Sequence, residues 1–220
     1  MDFGNMLGDS FEYTKEALME KWVKWILLII PFMTHGYALE IFKATKPAPE
    51  INDWVANFIN GIKLFIIAIV YFIPVIIIGV IAVLPVVGAA ITGDSSAIAA
   101  AGLLFLVGML VCVLLTILIY LIIPFALIRF ARTESFGEAF NFGAVLASIG
   151  KVGWISYIIA LIVLFIAAIV FSIVIGIVMT ILMFIPILGW LLMLIIELLL
   201  IPPVGIFCAR YFTQIYDSAA

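Results

Sequence analysis

Few residues in this chain combine chemical reactivity with a position where it would matter, and Glu197 is the foremost. It lies 11 residues after Pro186 and 13 before Arg210, near the middle of a long apolar stretch. An acidic side chain at the centre of a bilayer costs about 2.5–3.5 kcal/mol on insertion scales. Such a group must be neutralised, hydrogen-bonded to another helix or hydrated in a cavity. No Lys or Arg falls at that depth, so the candidate partners are Thr116, Tyr120, Tyr157, Ser172 and Thr180. A ring of Glu197 side chains across an oligomer suits a cation pathway, whereas a neutral Glu197 acts as glue between helices. His35 and Glu40 share an apolar segment interrupted by Pro31 and Gly36. A single histidine without a second ligand at metal spacing argues against zinc. It is either a satisfied structural residue or a proton-sensitive one.

Other constellations that perform chemistry are absent. There is no HExxH, no Gly-x-Ser-x-Gly and no phosphate-cradling Gly-Lys-Ser loop. Asp94 follows Gly93 in a polar turn without a second carboxylate. No enzyme activity, metal or cofactor is expected. A net charge of −3 offers no basic patch for nucleic acid.

The elements that position these residues follow from composition. The 220 residues are 68% hydrophobic and only 10% charged, with a mean hydropathy of +1.43; soluble domains carry about 25% charged residues. The bilayer is therefore the main solvent. A spanning helix needs about 20 apolar residues, and four stretches qualify: Leu64–Ile91, Ile98–Ile128, Val152–Met183 and Leu188–Ala209. All ten cations fall in four regions, and none lies in the turns after the first and third of these stretches. The positive-inside rule makes the basic loops and the C-terminus cytoplasmic and both turns external. Trp25–Phe42 is ambiguous. It reads as a short fifth span or as a re-entrant hairpin broken near Pro31 and Gly36, and Lys24 and His35 favour the hairpin. The expected fold is thus all-α, a polytopic transmembrane helical bundle forming one integral membrane domain over residues 1–220.

Amphipathic stretches near 10–24, 52–63 and 135–149 read as helices in the cytoplasmic interface plane. Asn52 or Asp53 can cap the second, and Ser135 with Glu138 has capping-box spacing at the third. Such helices either connect spans or form a lipid- or tension-sensing cuff. The pentapeptide Leu28-Ile29-Ile30-Pro31-Phe32 recurs as Leu121-Ile122-Ile123-Pro124-Phe125, suggesting a parallel repeat of 25–91 and 114–190. Ala168, Ser172, Gly176 and Thr180 recur every fourth residue, a small-residue stripe that lets another helix approach closely. This face packs within the protomer or between protomers. Cys112 and Cys208 lie at different depths and read as packing residues rather than a disulfide.

The chain resembles a family of archaeal polytopic membrane proteins catalogued as domain of unknown function 4013. The likeness rests on Gly36-Tyr37, Asp53-Trp54 through Gly61-Ile62-Lys63, Tyr71 with Pro74, Ala131-Arg132, and Glu138-Ala139-Phe140-Asn141-Phe142. It implies an archaeal source and a cell-membrane location and supplies no activity. The expected partners are membrane lipids and further copies of the chain, with a partner membrane protein as another possibility. Function is open between an oligomeric channel- or transport-type protein and a non-catalytic organiser of lipids or membrane proteins.

Overall fold

The computed structural model describes residues 1–219. Among them are nine helices and no strand: α1 (Phe3–Leu18), α2 (Trp22–Ile29), α3 (Met33–Phe42), α4 (Trp54–Thr92), α5 (Ser95–Thr133), α6 (Phe136–Ala139), α7 (Phe142–Val152), α8 (Trp154–Met183) and α9 (Leu188–Asp217). The four expected spans are α4, α5, α8 and α9, each apolar enough and long enough to cross a bilayer. At 1.5 Å per residue the 39 residues of α4 reach about 58 Å, well beyond a hydrocarbon layer of about 30 Å. The extra length explains a difference from the sequence reading. Residues 54–63 are not a separate interfacial helix but the first turns of α4, capped by Asp53, whose Oδ1 accepts the Ala56 N–H at 2.9 Å. The N-terminal amphipathic stretch is likewise shifted, ending at Leu18 as α1 before α2 begins at Trp22.

The ambiguous segment is a sharply bent helical pair, the geometry of either a broken span or a re-entrant loop. Helices α2 and α3, of 8 and 10 residues, turn by 111° at Ile30–Phe32. Each is too short to cross alone. The entrance and exit of the pair are tied together. Lys21 Nζ meets Glu50 Oε1 at 2.5 Å, and Lys24 Nζ donates to the Pro49 carbonyl at 2.7 Å and to the Tyr37 hydroxyl at 3.0 Å. The start of α2 is thereby tied to the segment that follows α3. Phe32 takes the left-handed conformation (φ 70°) at the break, a cost of order 1–3 kcal/mol for a non-glycine residue. Its ring is held edge-on by Phe58 and Phe65.

Two glycines let the hairpin press onto the start of α4. A Cβ on Gly36 would lie 1.8 Å from the Asn57 carbonyl oxygen, and one on Gly61 would lie 1.9 Å from that of Phe32. Asn57 Nδ2 in turn donates to the Met33 carbonyl at 2.9 Å.

The chain forms two compact units, Met1–Phe65 with Phe125–Ala220, and Ile66–Pro124. In the first, the C-terminal half of α9 is the pillar against which α1, α2, α3, α7 and α8 pack. Ile206, Tyr211 and Ile215 are fully buried there, and the Tyr211 hydroxyl donates to the Ala160 carbonyl of α8 at 2.9 Å. The second is an antiparallel helical hairpin of α4 and α5 residues. Gly108 faces Ala82, Cys112 Sγ approaches the Val75 carbonyl at 3.6 Å, and Phe72 packs on Tyr120. Asp94 caps α5 through Ser96, which holds its exposed carboxyl below the usual range. Both cysteines are free thiols.

Candidate functional site

Glu197 points away from its own bundle. On α9, Gly189 is buried and Leu192, Met193 and Ile196 are half-buried, while Glu197 is exposed. Among the described residues of its own unit it makes no hydrogen bond or ion pair, and Tyr157, Ser172 and Thr180, the expected partners in that unit, do not reach it. Its neighbours on the same face, Leu194 and Ile201, are also exposed. A carboxyl at mid-span is thus presented outward, where hydrocarbon offers no acceptor or donor.

The small-residue stripe is also uncovered. Ala168, Ser172, Gly176 and Thr180 are all exposed, Gly176 has open space where a Cβ would stand, and Thr180 Oγ1 turns back to the Gly176 carbonyl at 2.8 Å. Within its own unit no helix covers Ser172, Gly176 or Thr180. A groove of about 260 Å³ runs between α1, α8 and α9, with Phe11, Ala168, Phe171, Val204 and Phe207 among its walls. Ala168 of the α8 stripe and Val204 of α9 border it together.

His35 is exposed on α3 without a polar partner among the described residues. Glu40 instead belongs to a belt of ion pairs at the basic end of the molecule. Lys43 Nζ lies 3.2 Å from both Glu40 Oε1 and Glu134 Oε1. Burial opposes its charge, but the two carboxylates more than offset this and raise the Lys43 pKa. Asp9 of α1 bridges Arg210 Nε and Lys46 Nζ, each at 2.7 Å. The Arg210 guanidinium stands 4.9 Å from the Tyr13 ring centre. Arg132 is shared three ways, with the Asp217 carboxylate at 2.5 Å, the Phe42 carbonyl at 3.1 Å and the Tyr216 ring at 4.8 Å. Arg129 pairs with Glu138. That pairing displaces the expected capping box. Ser135 makes no side-chain cap; Asn141 caps α7 by accepting the Ala144 N–H at 3.1 Å.

The belt's cations were visible in the sequence, but their carboxylate partners were not. The pairing brings α1 and the end of α9 to one level, through Asp9 and Arg210. No group of three His, Cys, Asp or Glu residues suited to a metal occurs among the described residues.

Four long apolar helices, a sharply bent helical pair and a belt of ion pairs define a polytopic α-helical membrane protein. More narrowly, the model of the family described as "Protein of unknown function (DUF4013)" matches residues 24–180, and the chain belongs to that family. No curated protein and no solved structure matches the chain.

Proposed function

We propose that this protein is an oligomeric channel- or transport-type protein of the cell membrane, with a cytoplasmic C-terminus and no enzymatic activity of its own. The observation that carries the reading is Glu197. A carboxyl at mid-span that no residue of its own compact unit satisfies calls for a partner elsewhere or for water, and another copy or water between copies supplies it. Converging carboxyls supply the electrostatic well that cation pathways use. The prolines inside α4, α5 and α9 support the same reading, because each leaves a carbonyl that water or a neighbour must satisfy. The belt of ion pairs gives a rigid cytoplasmic base around which the spans can tilt.

The test is ion flux from liposomes containing wild type or Glu197→Gln. A conductance that falls at least tenfold in the variant is expected. Silence of both proteins under tension, pH steps and voltage would count against the proposal.

A second reading, a non-catalytic organiser of lipids or partner membrane proteins, is favoured by the uncovered Ala168–Thr180 stripe and by amphipathic α1 and α7. Cross-linking from Gly176→Cys in native membranes would then capture a different protein rather than another copy of this chain.

A further inference from the structure

Residues 43–50, which follow α3, are tied to α1, α2 and α3 alike. From α1, the Tyr13 hydroxyl donates to the Thr45 carbonyl at 3.1 Å, and Asp9 Oδ1 meets Lys46 Nζ at 2.7 Å. From α3, the Tyr37 hydroxyl donates to the Pro49 carbonyl at 2.8 Å, and the Glu40 carbonyl accepts the Thr45 hydroxyl at 2.5 Å. From α2, Lys24 Nζ reaches the same Pro49 carbonyl at 2.7 Å, and Lys21 meets Glu50. Asp9 also pairs with Arg210 of α9 through its other oxygen. A shift of α1 on α9 therefore pulls on Lys46.

The pull has little slack to take up. Lys46 and Pro49 are three residues apart, at most about 10 Å of chain. Pro47 and Pro49 have φ fixed by their rings, and Ala48 between them is buried. So short and stiff a segment passes a displacement on. Ala44, near its start, holds φ 64°, a conformation that a non-glycine residue keeps only under the grip of its surroundings. The segment relaxes when its ties go.

Two of those ties are ion pairs with an open side chain, Lys46 being 57% exposed and Glu50 54%. The other compact unit, Ile66–Pro124, has a single charged residue, Asp94, and so offers no cation to Asp9 or Glu50. Salt shortens the reach of such charges, from about 10 Å at 0.1 M to about 3 Å at 1 M. Lys24, only 7% exposed, is screened far less.

We propose that residues 43–50 form a salt-sensitive strap that couples the seating of α1 on α9 to the closure of the α2–α3 pair. Freeing either helix frees the other, because coupling between two positions is reciprocal. High ionic strength loosens both together. The device needs neither a second copy nor a pore, so it stands apart from the channel reading.

Hydrogen exchange in lipid nanodiscs tests it, with α8 as internal reference. Lys46→Gln cuts a tie to α1, and Glu50→Gln cuts a tie to α2. Each is expected to speed exchange at least threefold in both Phe3–Leu18 and Trp22–Ile29 and to leave Trp154–Met183 unchanged. Raising sodium chloride from about 0.1 M to about 1 M should do the same to the wild-type chain. Lys46→Gln with Tyr13→Phe severs α1 from the strap, and in that background Glu50→Gln should speed α2 alone. Continued loosening of α1 there would show that the coupling runs through the turn between α1 and α2, and would overturn the proposal. So would single variants whose effects stay within the helix they release, a wild-type chain indifferent to salt, or salt that speeds α8 equally.

Discussion

The indole N–H of Trp25 donates to the carbonyl of Leu199 at 2.9 Å, the carbonyl that Pro203 leaves without its helical donor. Proline has no N–H, so the i→i−4 bond that residue 203 would make to Leu199 is missing from α9. In hydrocarbon that carbonyl has no water to turn to. The bent helical pair thus satisfies a defect in the pillar helix, which joins two parts of the chain 174 residues apart.

Trp25→Phe is expected to lower stability by about 1 kcal/mol, the net worth of one hydrogen bond. Thermal unfolding in lipid nanodiscs measures it. The decisive control is Pro203→Ala, which restores a donor to Leu199 within α9. If the indole bond is the cause, Trp25→Phe costs clearly less in that background. An unchanged cost would mean that the ring's packing, including its stack on Trp22, is responsible.

Gly36→Ala and Gly61→Ala should each destabilise the hairpin by about 1–3 kcal/mol, as overpacking does. The added methyl group would fall within 2 Å of a carbonyl oxygen in both cases, and backbone atoms cannot rotate away as a side chain can. Gly88→Ala is the comparison, since nothing lies within 4 Å of the Cβ it would carry. Equal loss of thermal stability in all three variants would show that helix propensity, not close approach, governs these sites.

These contacts mark the boundary of what was legible from residues alone. The spans were plain because hydrocarbon selects composition over long windows, and the basic regions were plain because charge is visible locally. The sharp break between α2 and α3 was only half legible. The pentapeptide Leu-Ile-Ile-Pro-Phe breaks the chain at Pro31 yet runs on within α5 at Pro124. The difference lies in the surfaces on which the two copies dock. Gly36, just past the first copy, meets Asn57, whereas Phe125 of the second packs against Tyr157 and Tyr216. Likewise Glu197 was legible as an oddity, but its outward aim was not, because only packing decides which side of α9 its neighbouring helices cover. The Asp9–Arg210 pair spans 201 residues, a separation at which local pattern carries no information.

The attachment of α1 should depend on pH at both extremes. Burial raises the Asp9 pKa, but hydrogen bonds and charge from Arg210 and Lys46 more than offset it and hold the carboxyl below its ordinary 3.8. A carboxyl depressed in the folded state stabilises fully above its unfolded pKa, and that stability is lost as pH falls through the folded value. Loosening is therefore expected only below about pH 4. Tyr13, whose hydroxyl donates to the Thr45 carbonyl at 3.1 Å, is pushed up by burial from 10.0 to about 12 despite the Arg210 charge. Its contribution is present below pH 10 and declines as the pH rises from there to about 12. Exchange of α1 amides against pH would show both shoulders. Asp9→Asn should remove the acidic one and Tyr13→Phe the alkaline one.

Arg132→Lys tests whether the belt needs geometry or only charge. The guanidinium makes an ion pair, a hydrogen bond to the Phe42 carbonyl and a stack on Tyr216 at the same time. A planar group with donors on several edges can do this, but a lysine ammonium is a single point with no face to stack. Hydrogen bonds to charged groups are worth about 1.5–3 kcal/mol, and partial exposure screens some of that. A loss of roughly 1–2 kcal/mol is expected, confined to the end of α9. Hydrogen exchange should accelerate over Phe212–Asp217 and stay unchanged around Leu194, within the apolar part of the same helix. Full protection in Arg132→Lys would mean that the positive charge alone holds the C-terminal turns in place.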